Sequence, residues 1–226
     1  MLYNISMDER AEKLLRAIID FYIKNAHPVG SQFLAEHEDL LVSSATIRNE
    51  MLALEKQGFI FQPHTSAGRI PTLAGYQYYL DNLLNIEPLT ETETKELKTA
   101  LKADVRVLAK VLAEKTNLAV ILAFDANDLY FTGLFNLFSQ PEFADYKMML
   151  SMSQVIDSLE KAMASIFYQI DKPKILLGED NPFAETCSVA VTPLNGEPKR
   201  LLAILGPARM DYNRVLSLLA SLVKIS

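Results

Sequence analysis

Residues 43–72, SSATIRNEMLALEKQGFIFQPHTSAGRIPT, decide how the fold is read. Ser43 or Ser44 can cap a helix, and Ile47, Met51 and Leu54 follow at the spacing of one helical face, falling within about 60° of one another at 100° per residue. Gly58 is a natural left-handed stop for that helix. Two short extended pieces come next, 59–61 and 70–71, on either side of a polar loop that contains Gly68. That is a hairpin pattern, kept short by Pro63 and Pro71, which cannot donate to a ladder.

The segments on the N-terminal side complete a known order of elements. Ser6 and Glu9 form an S-x-x-E capping box, and Ala11, Leu14, Leu15, Ile18 and Tyr22 then recur with a helical period, predicting a helix over about 7–25. The run His27-Pro28-Val29-Gly30-Ser31 breaks it. Ser31 is placed to cap a second helix reaching about Glu38, and 39–42 reads as a turn. Three helices followed by a hairpin make a winged helix. Thr72 caps one more helix, carrying Tyr76, Tyr79, Leu80 and Leu83, and closes a first domain at 1–86.

With Ile47, Met51 and Leu54 turned inward, the third helix presents Ala45, Asn49 and Lys56 outward, with Thr46 and Arg48 on the flanks. A recognition helix docks its N-terminal end in the major groove, where Asn pairs with adenine, Arg with guanine, and Thr or Ala touches a thymine methyl. Ser44, Ala45, Thr46, Arg48 and Asn49 are therefore the candidate base-reading set. Taken alone, the segment reads equally as a capped amphipathic helix. The loop tips the balance, because His64, Thr65, Ser66 and Arg69 put donors where folding requires none. Gly68 would let that backbone approach a phosphate closely. Local charge adds little, since 43–79 holds three basic residues (Arg48, Lys56, Arg69) and two acidic ones (Glu50, Glu55).

Beyond this domain, Thr90 and Glu93 form another capping box. Leu101, Val105, Leu108 and Leu112 then make a short heptad seam, suggesting a connector helix over 87–116 that could pair with a partner helix. Five strands are expected at 118–124, 129–134, 174–177, 186–194 and 200–205, with Asn195-Gly196 as a hairpin signal between the last two. A helix carrying Met149, Met152, Ile156, Leu159, Met163 and Ile166 lies between the second and third strands, and a final helix runs from about 210 to 224. The third segment, 117–226, is thus an α/β domain, and the chain as a whole is an α+β protein with a mainly antiparallel sheet.

Composition narrows the function classes. Half of the 226 residues are hydrophobic and 22% are charged, with 8 Gly and 10 Pro, as in a chain that buries a core. The formal charge of −6 argues against indiscriminate nucleic-acid binding but not against a local site. No apolar run reaches the ~18 residues of a membrane span, and the acidic start is unlike a signal peptide, so a cytoplasmic location is expected. Cys187 alone can build neither an internal disulfide nor a cysteine zinc site. His27, His37 and His64 are far apart, and no metalloprotease, nucleophile-elbow or phosphate-loop motif occurs. No catalysis, metal or cofactor is expected.

Several longer motifs carry a family resemblance. Pro28 to Ser31, Ser43 to Met51, and Pro63 to Thr72 with Gly75-Tyr76 and Tyr78-Tyr79 are similar to the HrcA heat-inducible transcription repressors. So are Asn136 to Phe138 with Pro141 to Phe143, Gly178 to Asn181, Cys187-Ser188 and Gly206 to Tyr212. The resemblance implies repression of chaperone genes through an inverted-repeat operator, the CIRCE element, bound by a homodimer. It also implies a GAF-like second domain and a link to the GroE chaperonin. Relatives carry a long stretch, including a dimerising insert, where this chain has only Leu118 to Asp128. Dimer contacts would then fall on the heptad seam, the Met149–Ile166 helix or the C-terminal helix. The alternative is a metabolite-sensing regulator whose GAF-like domain binds a small ligand, with the Arg209–Tyr212 cluster as a conceivable polar site.

Overall fold

The structure, a computed structural model, describes residues 7–37, 40 and 42–225. The chain divides into two compact units, Met1–Leu84 and Asn85–Ser226.

In the first unit, α1 (Glu9–Asn25) starts from Asp8, whose carboxylate accepts the Ala11 amide at 2.8 Å. The capping box expected at Ser6 lies outside the described residues. The helix ends at Ala26, which holds a left-handed conformation, and buries Leu14, Leu15, Ile18 and Ile19. α2 (Ser31–His37) begins at Ser31 itself, so Ser31 is the first helical residue rather than the cap. Half of the turn expected over 39–42, residues 39 and 41, lies outside the described residues.

α3 (Ser44–Lys56) is capped by Ser43, whose hydroxyl accepts the Thr46 amide at 3.2 Å. Gly58 takes a positive φ of 83° just beyond the helix end, and the Phe59 amide returns to the Leu54 carbonyl. β1 (Ile60–Phe61) and β2 (Ile70–Pro71) pair antiparallel in the expected short hairpin. Val29 adds a bridge with Arg69, each donating its amide to the other's carbonyl. α4 (Leu73–Tyr78) is capped by Thr72 and runs into one π-helical turn at Tyr79–Leu83. Tyr78 and Tyr79 donate to Glu12 and Asp20 of α1, both at 2.7 Å. This is the expected winged helix, with the core on α1, α3 and the tyrosine helix.

The second unit opens with α5 (Glu91–Ala103), whose Thr90–Glu93 capping box forms as read. The backbone turns extended at Asp104, which caps α6 (Val105–Thr116) through the Arg106 amide. The connector over 87–116 is therefore two helices, and both belong to this unit: α5 packs on α6. Leu108 and Leu112 of the heptad seam are fully buried here, while Leu101 and Val105 stay half-buried, so the seam cannot pair along its whole length with a partner helix. Their burial answers to the sheet below them, since β3 (Ala119–Ala123) lies under α6.

β3 turns into β4 (Leu129–Thr132) through a tight link in which Asp125 Oδ1 accepts the amides of Asn127 and Asp128 at 2.6 and 2.9 Å. Arg106 covers this corner, its guanidinium 5.2 Å from the Phe124 ring and 5.5 Å from that of Tyr130. α7 (Leu134–Phe138) and a 3-10 turn at Pro141–Ala144 follow. The methionine-rich helix is also broken, at Ser158, into α8 (Tyr146–Asp157) and α9 (Leu159–Ile166). β5 (Lys174–Leu177), β6 (Cys187–Leu194), β7 (Arg200–Pro207) and α10 (Tyr212–Ile225) finish the chain.

The strand order is β4-β3-β7-β6-β5, every pair antiparallel, as expected for the fold class. Alternating residues face opposite layers. Ile121, Cys187, Val189, Val191, Leu201, Ala203 and Leu205 join Leu137, Met152, Met163 and Ile166 in one core. α6 and α10 cover the other face. Because both faces of the central strands β3 and β7 are buried, these antiparallel strands read as apolar runs rather than as alternation.

Candidate nucleic-acid interface

The candidate face belongs to the first unit and is built on α3. Ile47, Met51 and Leu54 are 0–4% exposed and fix the helix's rotation. Ser44, Ala45, Arg48, Asn49, Leu52, Ala53 and Lys56 are left exposed. Arg10 of α1 pairs with Glu50 at 2.5 Å and steadies the helix from behind. No acidic side chain stands in the first turn, so the positive end of the helix dipole faces outward unopposed.

Thr46 sits at the edge of this face. It is half-buried, and its hydroxyl lies 3.0 Å from that of Ser43, so it completes the cap. Leu52 is the residue the sequence reading passed over. It is 42% exposed on the outward face, where an apolar side chain can meet a thymine methyl. The helical rotation that placed Ala45 and Asn49 outward places Leu52 beside them.

The wing is held from within. Gln62 donates through Nε2 to the carbonyls of Thr65 and Ala67, at 3.0 and 2.8 Å. His64, Thr65 and Ser66 are exposed at the tip, with His64 Nδ1 3.2 Å from the Ser66 hydroxyl. Arg69 lies elsewhere than expected: its side chain is 14% exposed and its Nε and one terminal nitrogen reach Glu55 Oε2 of α3 at 3.1 and 3.0 Å. The other Glu55 oxygen accepts the Gln62 amide at 3.2 Å. One carboxylate thus ties both strands of the hairpin to α3, and Arg69 holds the wing against that helix.

Gly68 is also explained internally. A Cβ there would stand 2.2 Å from the Val29 carbonyl oxygen, so the glycine serves the Val29–Arg69 bridge, not an approach to phosphate. Between α3 and the wing lies a groove of about 430 Å³. Arg48, Leu52, Thr65, Ser66 and Arg69 line it, while Ser44, Ala45, Asn49 and His64 do not. The structure therefore brings helix and wing into one surface on which Arg48 and Lys56 are the exposed cations of 43–79.

At the sheet core of the second unit Ile121, Leu137, Met163, Val189 and Ala203 are fully buried. Arg209 pairs with Glu142 at 2.5 and 3.2 Å and reaches Gln140 at 3.2 Å, tying down the turn after α7. Asp211 accepts the Arg214 amide at the start of α10, and the Tyr212 hydroxyl donates to the Ala208 carbonyl. The Arg209–Tyr212 cluster is structural. Cys187 is fully buried, and burial pushes its thiol up to about 11.

The family description "HrcA protein C terminal domain" matches residues 40–216, most of the chain and both units. The chain belongs to the HrcA family. It is 26% identical to the heat-inducible transcription repressor HrcA of Brevibacillus brevis over 328 aligned positions, covering 96% of each chain. That alignment is longer than this 226-residue chain, so a long stretch of the HrcA relative has no counterpart here. Over 125 positions, 52% of this chain and 36% of the relative, identity to the HrcA of Desulfitobacterium hafniense reaches 46%. A crystal structure of a hypothetical protein shares the fold, with a TM-score of 0.71 at 19% identity over 97% of this chain and 99% of that one.

Proposed function

We propose that this HrcA-family chain is a transcription repressor of heat-shock chaperone genes that binds a CIRCE-type inverted repeat as a homodimer in the cytoplasm. The observation that carries the reading is the outward face of α3 with a wing clamped to it through Glu55. The names of the HrcA relatives support the class of target. In this reading Arg48 pairs with guanine, Asn49 with adenine, and Ala45 and Leu52 touch thymine methyls. Ser44 and the tip residues His64, Thr65 and Ser66 contact backbone or the minor groove. Thr46 and Arg69 hold the two parts in place.

The dimer is motivated by charge. The two exposed cations of 43–79 give this face few phosphate contacts, and affinity built on phosphates rises steeply with their number. Two linked copies double both the contacts and the bases read. The partnership with the GroE chaperonin is supported by the family resemblance alone, and co-purification with and without the chaperonin tests it.

The deciding experiment is titration of a fluorescent inverted-repeat duplex, its single half-site and a scrambled duplex, with light scattering on the same samples. The full repeat should bind tightest, with two chains per duplex. Asn49→Ala and Arg48→Ala should each lose about 1–3 kcal/mol and relax preference at one base pair. Equal affinity for repeat and scrambled duplexes, or unchanged binding by both variants, refutes the assignment.

A further inference from the structure

The outer face of α5 carries a feature that DNA reading does not use. Lys95, Lys98 and Lys102 are exposed at i, i+3 and i+7, which places them on one face of the helix. Among the described residues none of them has an ion-pair partner, whereas neighbouring Glu93 and Glu96 are taken by Arg214 and Lys115. Beneath the lysines run two depressions of about 320 and 270 Å³ that meet at Ile225. Their floor is apolar, formed by Leu89, Leu101, Val105, Leu194 and Ile225.

The far wall is fixed. Asn195 Nδ2 donates to the Val223 carbonyl at 3.1 Å and ties the β6–β7 loop to the end of α10. Arg200 stands in the same wall, and its Nε is buried without a hydrogen-bond acceptor. Glu91 at the opposite end is the acidic residue in the lining. A cationic rim over an apolar floor, on a chain of formal charge −6, selects its occupant by charge.

We propose that this groove docks a short acidic amphipathic helix of a partner protein. Apolar side chains at i, i+3, i+4 and i+7 of that helix would enter the floor, and flanking Asp or Glu would meet Lys95, Lys98, Lys102 and Arg200. α5 has 13 residues, so the groove is about 20 Å long and matches a partner helix of similar length. A nucleic-acid backbone would satisfy the lysines but leave the apolar floor in water, and this favours the peptide. The site lies in the second unit and is independent of the DNA reading.

The test uses the full-length chain and a labelled 14-residue peptide with leucines at those spacings and glutamates between them. Controls are a scrambled peptide of equal composition and a lysine-for-glutamate peptide. Binding should be at least tenfold tighter for the designed peptide than for either control. Lys98→Glu combined with Lys102→Glu, both exposed substitutions, should weaken it tenfold or more and admit the lysine peptide instead. Equal binding of designed and scrambled peptides, or indifference to the double substitution, overturns the proposal. So does loss of non-specific duplex affinity in the double variant, which would make this a DNA surface. A change in its oligomeric state would make the groove a contact between copies and would overturn the proposal equally.

Discussion

Replacing either end of the Glu55–Arg69 clamp distinguishes a positioning arginine from one that touches DNA. The guanidinium makes two contacts to Glu55, at 3.1 and 3.0 Å, and the carboxylate also accepts the Gln62 amide at 3.2 Å. The side chains are 14% and 29% exposed, so the pair is neither a solvated surface bridge nor a fully desolvated one. Exposed pairs contribute about 0–1 kcal/mol and hydrogen bonds to charged groups about 1.5–3, which brackets the clamp near 2 kcal/mol. Arg69→Ala and Glu55→Gln should each destabilise the first unit by about that much, with a coupling of about 1–2 kcal/mol in the double-mutant cycle. A wing released from α3 should weaken operator binding by roughly five- to thirty-fold in both variants. The assay is duplex binding across a salt series. The clamp predicts an unchanged slope of log K against log salt for Arg69→Ala, because no phosphate contact is lost. A phosphate-binding Arg69 predicts a slope flatter by about 0.9 per copy, and tighter binding when Glu55 is removed. That second pattern would refute the reasoning.

Other outcomes follow from the same geometry. Gly68→Ala should disrupt the Val29–Arg69 bridge, because its Cβ would stand 2.2 Å from a backbone oxygen, and amide exchange at Val29 and Arg69 should speed up relative to Gly30→Ala, where space is open. Leu150→Glu on the outer face of α8, where Tyr146, Met149 and Leu150 are 66%, 38% and 46% exposed, should leave a folded chain that light scattering finds monomeric if this face joins two copies. A dimer that survives places the contact elsewhere. Glu93 is held down to about 2 from 4.5 by the hydrogen bond from Arg214 first and by Thr90 next. The carboxylate's folded pKa is depressed, so its contribution is present above pH 4.5 and lost as pH falls toward 2; Glu93→Gln should remove that part of the acid dependence in a pH-melt series. Cys187, fully buried and raised to about 11 from 9.0, should react with a thiol reagent only as fast as the second unit opens.

The elements legible in the sequence were those whose signal is local. Ser43, Thr72 and Thr90 cap the helices they were expected to cap, since a cap needs only the next three residues. All five strands of the second unit are legible: β3 and β7 as apolar runs buried on both faces, and β4, β5 and β6 as short segments rich in β-branched, aromatic and aliphatic residues. The break at Asp104 was missed for an instructive reason. Leu101 and Val105 are four apart across it, so the heptad spacing looks continuous although the backbone there is extended at φ −171°, ψ 144°. Asp104 is itself a good N-cap residue, and that signal was present but overruled by periodicity. At Ser158 no side-chain cap marks the break, and the apolar stripe runs on through it.

At the candidate interface the division falls differently. Which residues of α3 face outward was readable, because three buried positions fix the rotation of a rigid helix. What the outward residues do was less readable, because it depends on pairings made across the chain. Glu55 and Arg69 are 14 positions apart and meet only once the hairpin has folded back on α3. Gly68 is dictated by Val29, which lies before α2. A cation in a polar loop therefore carries two meanings, phosphate contact or internal tie, and only the position of the nearest carboxylate separates them. Here that carboxylate is on the recognition helix itself. In the proposed reading, with Arg69 holding the wing, base contacts from Arg48, Asn49 and Leu52 supply discrimination, while the exposed cations of 43–79 are Arg48 and Lys56. On that reading non-specific DNA should bind weakly, and an acidic chain gains specificity from that weakness: the fewer the phosphate contacts, the larger the share of the binding energy that depends on sequence.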